Sequence, residues 1–219
     1  MDLIIFDLDG TLIDSRHDLA NAVNATLRYM DREPLTNERV YSYVGNGAPV
    51  LVRRALGEGA TDAEVAKALE FFLSFYADHD LDYTRLYPGV RETLDRLRDA
   101  GKRMAVLTNK PVRMSRHIVD GLGVAPYFFQ VYGGNSFETK KPDPMGVEAL
   151  RKEARAPRET TLMVGDSSVD VLTARNAGIP CCCVTYGFQP ESLADPAPDR
   201  LIDRMEQLAD WLLDTGDSQ

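Results

Sequence analysis

Ile4-Ile5-Phe6-Asp7-Leu8-Asp9-Gly10-Thr11 closes an apolar run with two carboxylates, a glycine and a hydroxyl. Alternation along an extended strand throws residues two apart to the same side, and leaving the strand at Leu8 lets Asp7 and Asp9 converge on one point. Two acids at the tip of a buried strand repel each other and are poorly solvated. A divalent cation, or a proton kept on one of them, is the natural compensation. The stretch therefore points to chemistry on an anion through a metal.

Composition narrows the field. With 219 residues, 44% of them hydrophobic, the chain has room for a proper core in one large domain or one and a half. The formal net charge of -9 argues against nucleic acid or an acidic membrane surface as partner, since the long-range field repels polyanions. A small anionic substrate then needs a locally positive pocket. No apolar run approaches the length of a bilayer span, and Met1 leads into a strand without a preceding basic stretch, so the expected location is the cytoplasm. Cys181, Cys182 and Cys183 are adjacent, unlike a disulfide framework or zinc-ligand spacing, and read as core filling in a reducing compartment.

Candidate strands run over Leu3 to Asp7, Met104 to Thr108, Phe129 to Tyr132, Thr161 to Val164 and Cys181 to Thr185, mostly as unbroken apolar runs. Strands of this kind are covered on both faces, as in parallel sheets. Between them lie helical patterns such as Val90, Leu94 and Leu97, which stop at Gly101. Asp195-Pro196-Ala197-Pro198-Asp199 reads as a loop before a closing strand and helix, and Thr215 to Gln219 as a frayed tail. Repeated strand and helix in this order predicts an α/β fold, a doubly wound, Rossmann-like parallel sheet. From Ser15 to Thr84 no convincing strand occurs. Thr61 to Glu64 matches a capping box, and Val65, Leu69, Phe72, Leu73 and Tyr76 follow on one helical face. The expected division is a core of residues 1–14 and 85–219 with a small, all-helical cap, residues 15–84, inserted after the first strand. The cap then forms a lid over the acids, hinged at Asp14-Ser15 and at Asp82 to Tyr87.

Ligands of doubly wound sheets bind beyond the carboxyl ends of the strands. Four such ends present polar groups here: Asp7 and Asp9; Thr108-Asn109-Lys110; Lys140-Lys141-Pro142-Asp143-Pro144, with Asp143 as a helix N-cap; and Gly165-Asp166-Ser167-Ser168-Val169-Asp170 at the start of a helix.

These four motifs, in order and across nearly the whole chain, resemble those of the haloacid dehalogenase superfamily phosphatases. Within that superfamily the chain is most similar to the phosphoglycolate phosphatase group, through Val44-Gly45-Asn46-Gly47-Ala48, Leu107 to Pro111, Lys140 to Pro144 and Thr185-Tyr186-Gly187. It departs at Gly133-Gly134-Asn135-Ser136, where an acidic residue is expected after the glycine pair.

The resemblance implies a Mg²⁺-dependent phosphomonoesterase that hydrolyses 2-phosphoglycolate through an aspartyl-phosphate on Asp7, with Asp9 as proton carrier. Mg²⁺ is then held by the Asp7 carboxylate, the Asp9 backbone carbonyl and Asp166, with Asp170 holding a metal-bound water or orienting Lys141. Thr108, backbone amides near Asn109 and the Lys141 ammonium hold the nonreacting oxygens, and Gly10 and Thr11 at the same strand end are expected, with Asn109, to bind substrate. Lys110 and Lys140 are expected as solvated neighbours, and His17, His79 and His117 as surface or lid packing residues, with His17 near enough to a hinge to approach substrate. Substrate choice falls to the lid: Gly45, Asn46 and Gly47 as a turn close to the ligand, and one of Arg53 and Arg54, with Arg54 preferred, as the cation for a substrate carboxylate. The partner is a small phosphate ester, and the chain a monomer or homodimer. Alternatives are a sugar phosphatase, a pyrophosphatase, a β-phosphoglucomutase or, from another class, a phospho-aspartate signalling module. The lid speaks against the last, because excluding water serves turnover rather than display.

Overall fold

A computed structural model of the chain describes residues 1–213. The expected frayed tail, Thr215 to Gln219, lies outside the described residues. The elements follow in the order β1 (Leu3–Phe6), β2 (Ile13–Asp14), α1 (Arg16–Tyr29), α2 (Asn37–Tyr41), α3 (Ala48–Leu56), α4 (Asp62–His79), β3 (Arg85–Leu86), α5 (Val90–Asp99), β4 (Arg103–Leu107), α6 (Val112–Gly121), β5 (Gln130–Tyr132), α7 (Met145–Ala154), β6 (Thr161–Gly165), α8 (Ser168–Ala177), β7 (Cys181–Val184), β8 (Arg200–Ile202) and α9 (Glu206–Leu213).

Six strands form one sheet in the order β5-β4-β1-β6-β7-β8, every pairing parallel. Successive residues feed opposite faces. Ile4 and Phe6 join one buried cluster with Val90 and Leu94 of α5, Ile118 of α6 and Leu208 of α9, whereas Leu3 and Ile5 join another with Val147 of α7 and Val171 of α8. Burial on both faces is why these strands read as continuous apolar runs. Cys181 and Cys183 lie on the second face and Cys182 on the first, all three buried and free. Strand order reverses at β1, with β4 and β5 laid to one side and β6 to β8 to the other, so its carboxyl end opens into the crevice where such sheets bind ligands.

The segment between β2 and β3 is helical. Helices α1 to α4 bury a third cluster of their own, including Leu19, Val23, Leu51, Val65 and Phe72, into which Met114 of α6 also projects. The capping box at Thr61 is present: Glu64 N–H donates to Thr61 Oγ1, and the Glu64 carboxylate accepts from Thr61 N–H. On α4, Val65, Phe72 and Tyr76 are buried, with Leu69 and Leu73 partly so. Both chain passages into this helical unit are joined in a two-stranded antiparallel ribbon, β2 with β3, which the sequence did not suggest. Helix α5 ends where expected, with Gly101 at φ +71 just beyond it. Helix α7 begins one residue later than read: Pro144 is its N-cap, and Asp143 Oδ1 accepts from Met145 N–H. None of the helices among the described residues is long and apolar enough to cross a membrane.

Candidate active site

Three parallel strands deliver the site. Beyond β1, Asp7 Oδ1 accepts from Leu8 N–H at 2.7 Å and from Lys141 Nζ at 2.9 Å. Lys141, almost wholly buried, also donates to Asp170 Oδ1 at 2.6 Å and so bridges two acids. Burial works against its charge, but Asp170 and Asp7 more than offset this and raise its pKa, keeping it an ammonium.

Asp166 follows β6. Its Oδ2 accepts from Phe188 N–H at 2.8 Å, and no cation pairs with it among the described residues. Burial, then the charges of Asp170 and Asp7, push its carboxyl well above the usual range. Burial likewise pushes the Asp7 carboxyl up to about 6, opposed by Lys141 and reinforced by Asp170. Asp7, Asp166 and Asp170 each offer a carboxylate oxygen within 4.8 Å of the others. Donors that are all oxygen, three acids against one lysine, fit a hard divalent cation. Asp170 is the least available of them. Its Oδ1 is taken by Lys141, and its Oδ2 by Ser167 Oγ and the N–H groups of Asp166 and Ser167, which also caps α8.

Gly10 shows how closely the chain packs here. It has φ +84, and a Cβ built on it would lie 2.2 Å from Asp166 Oδ2. Only glycine permits both that backbone and that approach.

Asp9 turns away from the acid cluster. Lys110 Nζ donates to both its oxygens, at 2.9 and 3.1 Å, and Ser15 Oγ donates to Oδ1 at 2.5 Å. The same ammonium donates to Tyr76 Oη of α4 at 2.7 Å. Burial again opposes the charge on Lys110, and Asp9 and Tyr76 outweigh it.

Above the strand ends lies a cavity lined by Asp7, Asp9, Thr108, Asn109, Lys110 and Asp166 below and by Leu19, Leu51, Phe72 and Tyr76 of the helical unit above. Its upper wall is mostly apolar. The loop Ser42 to Gly47 closes one side and is tied to the sheet domain through its backbone carbonyls: Asn109 Nδ2 donates to Gly45 O, Lys140 Nζ to Asn46 O, and Gln189 Nε2 to Ser42 O and Val44 O.

The family model of haloacid dehalogenase-like hydrolases matches residues 4–184. The chain belongs to the haloacid dehalogenase-like hydrolase family. The phosphoglycolate phosphatase of Pseudomonas fluorescens strain Pf0-1 is 44% identical over 220 residues, covering 97% of this chain and 80% of that protein. The phosphoglycolate phosphatase of Vibrio parahaemolyticus is 40% identical over 213 residues, covering 94% of this chain and 93% of its own. Among solved structures, that of a predicted phosphoglycolate phosphatase from Haemophilus somnus 129PT superposes with a TM-score of 0.89 at 33% identity, covering 97% of this chain and 96% of the other.

Within this haloacid dehalogenase-like hydrolase, the structure brings together Asp7, Asp9, Thr108, Asn109, Lys141, Asp166 and Asp170, and sets Gly45 and Gly47 on the cavity wall. Gly10, Thr11 and Asn46, expected as substrate contacts, are not on the lining: Gly10 packs against Asp166, Thr11 O accepts from Tyr186 Oη, and Asn46 O accepts from Lys140 Nζ. The arginine expectation is corrected. Arg53 pairs with Asp62 and Arg54 donates to Tyr43 O, both on the exposed side of α3, because the helical face carrying Leu51 and Val52 is the one turned inward. Lys110 is corrected as well: it is buried inside the site, not solvated, since Asp9 and Tyr76 take up its charge and its hydrogen bonds. Lys140 is half-buried and reaches from the sheet domain to Asn46 O of the Ser42 to Gly47 loop. His17 stacks on Tyr83 at the hinge, His79 meets Asp82 and His117 meets Asp80; none lines the cavity. Asn135, in place of an acid, accepts from Val112 N–H at the start of α6, a task an amide oxygen performs as well as a carboxylate. Tyr76, Ser15, Phe188 and Gln189 carried no signal as site residues. They arrive from distant segments, and only for Tyr76, on the apolar face of α4, does helical spacing predict an inward direction.

Proposed function

We propose that the chain hydrolyses 2-phosphoglycolate to glycolate and phosphate by way of phospho-Asp7, with Mg²⁺ held by Asp7 and Asp166. The observation that carries this reading is the buried Asp166 carboxylate beside Asp7, with which no cation pairs among the described residues, in a chain whose relatives of 40–44% identity are named phosphoglycolate phosphatases. An Asp9 carbonyl completes the protein's share of the ligand set. The ion supplies the positive charge that lets an anionic nucleophile approach an anionic ester.

The chain's own groups do the rest. Asp7 Oδ2, which has no hydrogen-bond partner among the described residues, attacks phosphorus in line as the bond to the ester oxygen breaks. Asp9 gives the leaving oxygen its proton and later removes one from the water that frees phosphate, regenerating the Asp7 carboxylate. Thr108, the amides near Asn109 and Lys141 bind the nonreacting oxygens, whose charge grows in the transition state. Asp170 fixes Lys141 between the two acids. Residues 15–84 form the lid, hinged on the β2–β3 ribbon, and its apolar wall excludes bulk water from the phospho-enzyme. The reaction takes place in the cytoplasm.

Phosphate release is to be measured with Mg²⁺ over carboxylated esters, sugar phosphates, nucleotides and pyrophosphate, with Asp7→Asn as blank. 2-Phosphoglycolate is expected to lead and the blank to show none. A flat profile, or isomerised sugar phosphate with little free phosphate, overturns the reading.

A further inference from the structure

With both arginines of α3 turned away from the cavity, the cation for a substrate's tail has to come from elsewhere. Lys110 is the one cation among the described residues lining that cavity. It is buried, it projects from the strand end next to Asp7 and Asp9, and its partners are a carboxylate and a phenol hydroxyl. The wall around it is Leu19, Leu51, Phe72 and Met114. A tail bearing several hydroxyls would leave them unmatched on such a wall, at a penalty for each. A single anionic group short enough to reach Lys110 finds a match.

We propose that Lys110, backed by Tyr76, is the specificity-determining residue: it binds the carboxylate of the substrate and restricts the enzyme to short phosphate esters with a carboxylate adjacent to the ester carbon. This rests on the phosphatase reading above. In the free enzyme the ammonium holds Asp9. The incoming carboxylate, chemically the same kind of partner, takes that place, and Asp9 is released to turn toward the ester oxygen. An ester without the carboxylate leaves Asp9 where it is. Tail recognition and the placing of the proton carrier are thereby one exchange on one lysine, with Tyr76 linking it to the lid helix α4.

The test compares 2-phosphoglycolate with ethyl phosphate, the same skeleton without the carboxylate, in the wild-type enzyme and in Lys110→Met, Lys110→Arg and Tyr76→Phe. Wild-type kcat/KM is expected to favour the carboxylated ester by roughly 100-fold, and Lys110→Met to lower that ratio at least about tenfold, as for a truncated buried charge partner. Loss of Lys110 also leaves Asp9 without its ammonium partner in both complexes, so the ratio of the two esters, not either rate alone, reads tail recognition. Lys110→Arg is expected to keep part of the preference, and Tyr76→Phe to raise KM for 2-phosphoglycolate more than for ethyl phosphate. Should Lys110→Met turn over neither ester, calorimetric binding to Asp7→Asn and to Asp7→Asn/Lys110→Met decides: the double variant is expected to lose affinity for 2-phosphoglycolate at least about tenfold and for ethyl phosphate much less. An unchanged ratio, or equal losses for both ligands, overturns the assignment of Lys110. A wild-type enzyme that hydrolyses no carboxylated ester overturns the phosphatase reading instead.

Discussion

Asp7 and Asp9 stand two positions apart and have opposite surroundings, which suits the two different roles proposed for one strand tip. Asp7 sits among acids and one lysine; Asp9 is held by Lys110 and Ser15. Asp9→Asn keeps the shape and removes the proton, and phosphate release is expected to fall about 10²–10⁴-fold. Burst kinetics should show whether both half-reactions slow. The Asp7 carboxyl, raised from 3.8 to about 6 by burial, gives a pH prediction. A carboxyl with a folded pKa above its unfolded value contributes stability that is full below pH 3.8 and lost as pH rises through about 6. In metal-free protein, Asp7→Asn is therefore expected to melt near the wild type at pH 4 and above it at pH 7, by at most about 3 kcal/mol, each kcal/mol being about 2–4 °C in Tm. Added Mg²⁺ should raise the wild-type Tm more at pH 7 than at pH 4, and the Asp166→Asn Tm little at either. A metal-free Asp7→Asn protein that melts below the wild type at pH 7 contradicts the sign.

At the scale of elements, the loop before α3 depends on one backbone conformation. Gly47 has φ +86, and a Cβ there would lie 2.9 Å from Asn109 O and 3.3 Å from Lys140 Nζ. Gly47→Ala combines a backbone that other residues rarely adopt with a clash against the strand-end loop, an expected loss of about 1–3 kcal/mol. Since the clash falls where the helical unit meets the sheet domain, KM should rise along with the drop in Tm. Gly59, with nothing within 4 Å, is the control: Gly59→Ala should change stability by less than about 0.5 kcal/mol. Calorimetry and steady-state kinetics on the two variants separate a local conformational requirement from a general intolerance of change. The capping box at Thr61 was legible because its donors and acceptors lie within one turn. The β2–β3 ribbon was not, because two residues on each side are too few to carry a period and their pairing spans the whole helical insertion.

The whole molecule is a sheet domain and a helical unit held together over the cavity by few side chains. Gln189 and Lys140 reach across to carbonyls of the Ser42 to Gly47 loop. Replacing both with alanine is expected to speed hydrogen exchange across residues 42–47 and to lower kcat/KM, while the global Tm moves by less than about 1 kcal/mol equivalent, because no core is disturbed. Unchanged exchange in that loop would show that the Asn109 bond to Gly45 O and the apolar contacts of Met114 and Phe188 hold it without them. The sheet, the insertion after its first strand and the acids, threonine and lysine at the strand ends could all be read along the chain. Those follow from apolar runs, turn residues and short motifs, whose physics is local. Which charges meet emerged from packing alone. Arg54 lost its place because a helix buries one face, Lys110 gained one because Asp9 and Tyr76 converge on it from separate elements, and a side chain's partners across such distances are set by packing, which no spacing along the chain encodes.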